Sequence, residues 1–279
     1  MAAPPLVILG CGFTGLEVAR RARSRGSRVI ATTRSPDKMP GLVELGIEAR
    51  LVSMLDADLV GNVLPAGADV LVALPPDGTT DAEIAPALRS ARHVVYISTT
   101  GVFGAARGHV DESTPVDPSE PRARVRLEAE GAYLAAGATI LRAAGIYGPG
   151  RGLHRRLLAG DFRVPDDGSN VVSRIHVADL ASLVLAAMAA PLDRVRGEVF
   201  VAADDAPVPQ IEVIRWLCAR LDLPLPAALP IREVAPTLRH DRAVDNTRIK
   251  RALSSSLAYP SYREGFEACI TAEGVNPRG

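Results

Sequence analysis

Aromatic side chains are scarce in this sequence, 4% of 279 residues. Aliphatic residues and alanine must therefore fill the core, which suits helices packed closely on a parallel sheet. Cysteine is nearly lacking as well: Cys11, Cys218 and Cys269 are far apart and show no paired spacing of the zinc or thioredoxin kind. No His, Cys and carboxylate cluster has metal-ligand spacing, and no Ser, His and Asp set stands out, so neither a metal nor a serine nucleophile is expected. Long apolar runs are missing too, since none reaches the roughly 20 residues needed to cross a bilayer. No basic region precedes the short apolar run within Met1 to Leu9, which argues against a secretory signal. A soluble, cytoplasmic chain in a reducing compartment is the expectation. Neither sign of charge is in excess, with 32 basic and 32 acidic residues, so no broad electropositive surface advertises nucleic acid or anionic membrane as a partner.

What is present is an alternation of buried strands and helices. Leu6 to Leu9 is a continuous apolar run, the mark of a strand covered on both faces. Phe13 to Arg25 then turns helical, with Leu16, Ala19 and Ala22 at helical spacing, and Gly26 ends it. Strands follow at Arg28–Thr32, Glu48–Val52, Asp69–Leu74, His93–Ser98 and Thr139–Ile146. Helices are predicted over Asp81–Ala91, where Pro86 should kink or shorten the element, and over Arg122–Ala136. This order implies βαβ units and the doubly wound parallel sheet of a Rossmann-type α/β fold. Residues 1–148 form the nucleotide-binding core, completed by about 171–203 through a helix Asp179–Ala190 and a strand Gly197–Ala203. Residues 149–170 and 204–279, with a helix near Pro209–Leu221, form a small C-terminal substrate-binding lobe.

The segment Gly10-Cys-Gly12-Phe-Thr-Gly15 joins the first strand to the first helix. Its glycines have separate tasks: a tight turn, close backbone approach to a pyrophosphate, and close packing of helix on sheet. The helix N-terminus then faces the phosphates. Cys11 reads as a small side chain tolerated in the turn. At the end of the second strand a carboxylate would grip the ribose hydroxyls of NAD, whereas a basic residue would accept the 2′-phosphate of NADP. The chain reads Ala31-Thr-Thr-Arg34-Ser35 there, so Arg34 favours NADP, with NAD the alternative.

Several blocks together resemble the extended short-chain dehydrogenase/reductase superfamily, which holds sugar-nucleotide epimerases, dehydratases and related reductases. They are Gly10 to Gly15, Ser98-Thr-Thr-Gly-Val-Phe-Gly104, Asp111-Glu112, Leu141-Arg-Ala-Ala-Gly-Ile-Tyr-Gly-Pro-Gly150 and Arg174-Ile-His-Val-Ala-Asp179. The resemblance implies cofactor contacts from Gly10, Gly12, Phe13, Thr14, Gly15, Thr33, Arg34, Leu74, Pro75, Ser98, Arg126, Ala144 and Ile146. It also implies a catalytic Ser or Thr after the fifth strand, which falls on Thr99. That threonine either hydrogen-bonds a substrate oxygen or pairs with backbone in a turn.

The family's Tyr-x-x-x-Lys helix is not matched. Anchoring on Glu130 puts Arg122 at the tyrosine position and Arg126 at the lysine position. Arg126 can donate to ribose hydroxyls, but Arg122 has no proton to lend and either recognises an anionic substrate or belongs to the solvated face of the helix. The chain therefore resembles atypical members that keep the dinucleotide site and lack the pair. Thr100, Tyr147 (expected to face the cleft), Arg151 and His176 are the remaining substrate-side candidates, and Asp179 is expected to cap its helix. The reading is an NAD(P)-dependent oxidoreductase or epimerase/dehydratase-like enzyme for a small hydroxy or oxo substrate. A non-catalytic NADP-binding sensor or scaffold is the alternative. The resemblance further implies a homodimer paired through Asp81–Ala91 and Arg122–Ala136.

Overall fold

The computed structural model describes residues 3–275. Seven strands form one parallel sheet: β1 (Leu6–Leu9), β2 (Val29–Thr33), β3 (Glu48–Leu51), β4 (Asp69–Val72), β5 (His93–Thr99), β6 (Thr139–Ala143) and β7 (Val199–Ala202). Their spatial order is β7-β6-β5-β4-β1-β2-β3. The chain thus winds outward twice from β1, and the order reverses between β1 and β4. In open sheets of this kind ligands bind in the crevice beyond the carboxyl ends at that reversal.

Helices cover both faces. α1 (Phe13–Ser24) buries Val18, Ala19 and Ala22 and leaves arginines outward, as the amphipathic spacing requires. α2 (Met39–Glu44), on the same face as α1, and α3 (Ala57–Val63), on the other, are elements that the sequence pattern did not predict; at six and seven residues they are too short to show a period. α4 (Thr80–Ile84) tightens into a 3-10 segment, Ala85–Ser90, at Pro86. The proline lacks an N–H and clashes with the carbonyl four residues back, which accounts for the shortening. α5 (Pro121–Ala135) follows.

Beyond β6 the expected single strand breaks at Ala144, and Gly145–Tyr147 leaves the sheet to pair with Arg174–His176. Next come α6 (Leu153–Leu158), α7 (Val177–Ala189), α8 (Leu192–Val195), α9 (Gln210–Leu221), α10 (Thr247–Leu253) and α11 (Tyr262–Ala272). α7 is buried over most of its surface because it lies between the sheet and its neighbours. A separate apolar cluster joins Tyr147, Leu157, Phe162 and Val164 to α9 and α11, and forms the core of the C-terminal lobe. Ile249 of α10 belongs to the core beneath the main sheet. Among the described residues no helix is long and apolar enough to cross a membrane.

Candidate functional site

The glycine loop sits at the reversal point, and its three glycines behave differently. Gly10 has φ +90°, and a Cβ there would stand 2.6 Å from Leu74 Cδ2. A Cβ on Gly15 would lie 2.8 Å from the Gly10 carbonyl oxygen, so only glycine lets α1 seat this close to β1. Gly12 has open space instead, with nothing within 4 Å of a would-be Cβ. It is the N-cap of α1 and provides no side-chain cap, and the first turn carries no acidic residue. The helix therefore presents unsatisfied N–H groups and its positive dipole end to the crevice. These features fit a bound pyrophosphate. Thr32, not singled out from sequence, latches the loop: its buried Oγ1 accepts from Gly10 N at 3.0 Å.

Two pockets meet at this loop. The smaller, about 360 Å³, runs past Thr33, Arg34 and Lys38 on one side and Pro75 and Asp77 on the other. No carboxylate stands at the end of β2, and Arg34 is exposed at the pocket. The larger, about 660 Å³, continues from Gly12, Phe13 and Thr14 along Ser98, Thr99 and Thr100 to Ile146 and the C-terminal lobe. Every residue expected to touch the cofactor lines one pocket or the other.

At the β5 end, Thr99 Oγ1 accepts from Gly101 N at 3.1 Å. A hydroxyl has one proton and two lone pairs, so this turn contact leaves the O–H free to donate into the cleft. Ser98 donates to Glu130 and is spoken for. Arg126 lines the cleft with Nη1 tied to Tyr96 Oη at 2.8 Å and to the Ile97 carbonyl at 3.3 Å. Arg151 also lines it, its guanidinium 5.3 Å from the Phe13 ring.

Other expected site residues are not brought together. Arg122 is exposed on the first turn of α5 and lines neither pocket, because that helix face looks to solvent. Tyr147 turns away from the cleft: its ring lies 4.4 Å from Phe266, and its buried hydroxyl has no partner. Burial pushes that phenol well above its usual range. His176 is buried, with Nδ1 accepting from Ala178 N at 3.2 Å, and so caps α7 in place of Asp179. Burial, aided by Arg21 and His154, lowers the imidazole to about 4. Asp179 instead accepts from Ala258 N and Tyr259 N at 2.8 and 2.9 Å.

Sequence reasoning missed the far wall of the cleft. Ser173, Thr237, His240 and Arg242 come from the C-terminal part of the chain. Arg242 is buried, and its Nη1 donates to the Thr100 carbonyl at 2.7 Å. The only signal was a charged stretch, Arg239 to Arg242, in a Pro- and Leu-rich region. Burial, with Arg242 nearby, lowers His240 to about 4, so it is neutral near pH 7.

Comparison with known proteins agrees with this geometry. A model described as the NAD dependent epimerase/dehydratase family matches residues 6–203. A 3-diazoavenalumate denitrifying reductase from a Streptomyces species is 34% identical over 179 residues, 56% of this chain and 58% of that protein. The match thus spans less than two thirds of that relative. Protein YeeZ of Escherichia coli K12 is 29% identical over 208 residues, 67% of this chain and 73% of YeeZ. Among solved structures, a conserved protein of unknown function from Silicibacter pomeroyi superposes with a TM-score of 0.83 at 34% identity, covering 97% of this chain and 99% of that one.

Proposed function

Since the chain belongs to the NAD dependent epimerase/dehydratase family, within the extended short-chain dehydrogenases/reductases, we propose that it is an NADP-dependent oxidoreductase for a small hydroxy or oxo substrate. One observation carries this reading: a pocket suited to the adenosine end and a polar cleft suited to the nicotinamide end join at an uncapped helix N-terminus. Bound there, the dinucleotide supplies or takes a hydride. The α1 N-terminus and Arg151 hold its pyrophosphate, Arg34 with Lys38 receives the 2′-phosphate, and Arg126 donates to ribose hydroxyls. Thr99 orients the substrate oxygen with its free O–H. Among the described residues no tyrosine lines the cleft, which supports a proton transfer that does not use the family's tyrosine. A relative with a reductase's name supports the reductive direction.

The test is a thermal-shift titration with NADPH and NADH, followed by turnover of oxo compounds. NADPH should raise the melting temperature more than NADH, and Thr99→Val should abolish turnover while leaving that shift intact. If neither dinucleotide stabilises the protein, the reading fails. The second reading, a non-catalytic NADP-binding sensor or scaffold, is favoured by the arginines at positions 122 and 126. Turnover of any oxo or hydroxy compound that depends on Thr99 counts against it.

A further inference from the structure

The far wall of the larger cleft carries a buried cation with nothing to neutralise it. Arg242 is 3% exposed and opens a short strand, Arg242–Val244, that runs parallel to Gly108–Val110. Ser173 Oγ donates to its carbonyl at 3.0 Å, so its backbone is fixed as well. While Nη1 is held by the Thr100 carbonyl at 2.7 Å, Nη2 is buried and has no partner. The adjacent Asp241 turns away to Arg107, 3.4 Å distant. Arg126, Arg151 and His240 share the lining with it, and among the described residues no Asp or Glu does. A buried guanidinium without a counter-charge is a costly arrangement that a bound anion relieves.

Resting on the reading of the cleft as a dinucleotide-dependent active site, we propose that its substrate is a small carboxylic acid, with the carboxylate received by Arg242 and the oxo or hydroxy carbon held at Thr99. The spacing follows from the anchor. Arg242 is bonded to the residue immediately after Thr99, and consecutive Cα atoms are about 3.8 Å apart. The charge and the reacting oxygen therefore belong one or two carbons apart on a short chain, as in 2- and 3-oxo acids and their hydroxy forms. One free guanidinium nitrogen suits a planar carboxylate better than a phosphate, whose three oxygens call for several converging donors.

The experiment titrates the protein saturated with NADP+, which cannot reduce an oxo acid, with 2-oxobutanoate, 3-oxobutanoate, their methyl esters and inorganic phosphate, reading affinity by calorimetry. At least one free acid should bind roughly 10- to 100-fold more tightly than its ester, the size expected for a charge-assisted hydrogen bond. Arg242→Gln should remove that preference, and Arg242→Lys should keep part of it, with NADP+ affinity within about twofold of wild type in both. Acid and ester binding alike, phosphate binding alone, or no binding of any probe overturns the inference; the wild-type comparison decides this even if a variant fails to fold. Failure of NADP+ itself to bind is a separate outcome, which overturns the cofactor reading beneath it.

Discussion

The proposed preference for NADP rests on Arg34, which stands where a carboxylate would bind unmodified ribose, with Lys38 lining the same pocket. Arg34→Glu replaces an attraction to the 2′-phosphate with repulsion. NADPH affinity, measured by fluorescence titration, should fall roughly 10- to 100-fold while NADH binding changes little; equal loss for both would mean that Arg34 holds something common to the two. Asp204 is a residue of another kind. Burial pushes its carboxyl up to about 7 against the pull of Arg174, and its Oδ2 has no partner. The folded protein keeps this proton at pH values where the unfolded chain has lost it. Asp204 therefore contributes stability that is complete below pH ~4, the ordinary carboxylate range, and lost as pH rises through about 7. Asp204→Asn should flatten that part of the profile of melting temperature against pH; an unchanged slope between pH 4 and 7 would assign it to other groups. The glycine loop was legible in the sequence because its residues are contiguous. Arg242 was not, because what makes it notable is contact with Thr100, 142 positions away.

α5 is held against the sheet by buried polar contacts as well as by packing. Glu130, the residue that anchors the sequence register, is buried and accepts from Arg142 Nη2 at 2.7 Å and from Ser98 Oγ at 2.5 Å. One carboxylate thus ties the helix to β5 and β6 together. About one turn further on, Tyr133 donates to the buried Asp81 at 2.7 Å and fixes α5 against α4. Breaking a buried pair leaves an uncompensated charge, so Arg142→Met should cost about 3–5 kcal/mol in chemical denaturation. The double variant Arg142→Met with Glu130→Gln should recover part of that loss. If the double variant is no better than the single one, packing of Arg142 over Phe103, 5.2 Å from the ring centroid, is the larger contribution. Elements with long apolar runs or a clear helical period, such as β1 and α1, were readable in advance. The split of Thr139–Ile146 was not, because the apolar pattern continues while pairing switches from the sheet to Arg174–His176.

Across the whole molecule the two ends of the cleft come from different parts of the chain. The glycine loop, β2 and β4 build the end proposed for the cofactor, whereas Ser173, His240 and Arg242 close the end proposed for the substrate. Among the fastenings of the segment beyond β7 to the rest of the molecule, three differ in kind from the Arg242 anchor. Ile249 of α10 packs beneath the sheet, Phe266 of α11 lies on Tyr147, and Asp179 at the head of α7 receives the N–H groups of Ala258 and Tyr259. Of these, only Asp179 is a polar link that can be removed without opening an apolar cavity. Asp179→Ala leaves two backbone donors without their acceptor, which costs on the order of 1–3 kcal/mol each where they stay buried. Hydrogen exchange should accelerate across 255–272 in this variant and remain slow through β1 and α1, since loss of one fastening opens a region locally rather than globally. NADPH affinity should stay within about twofold of wild type, because the loop that grips the pyrophosphate is built without the C-terminal segment. A parallel loss of NADPH binding would instead make the two ends of the cleft one cooperative unit, with the substrate wall supporting the cofactor site through α7 and α1.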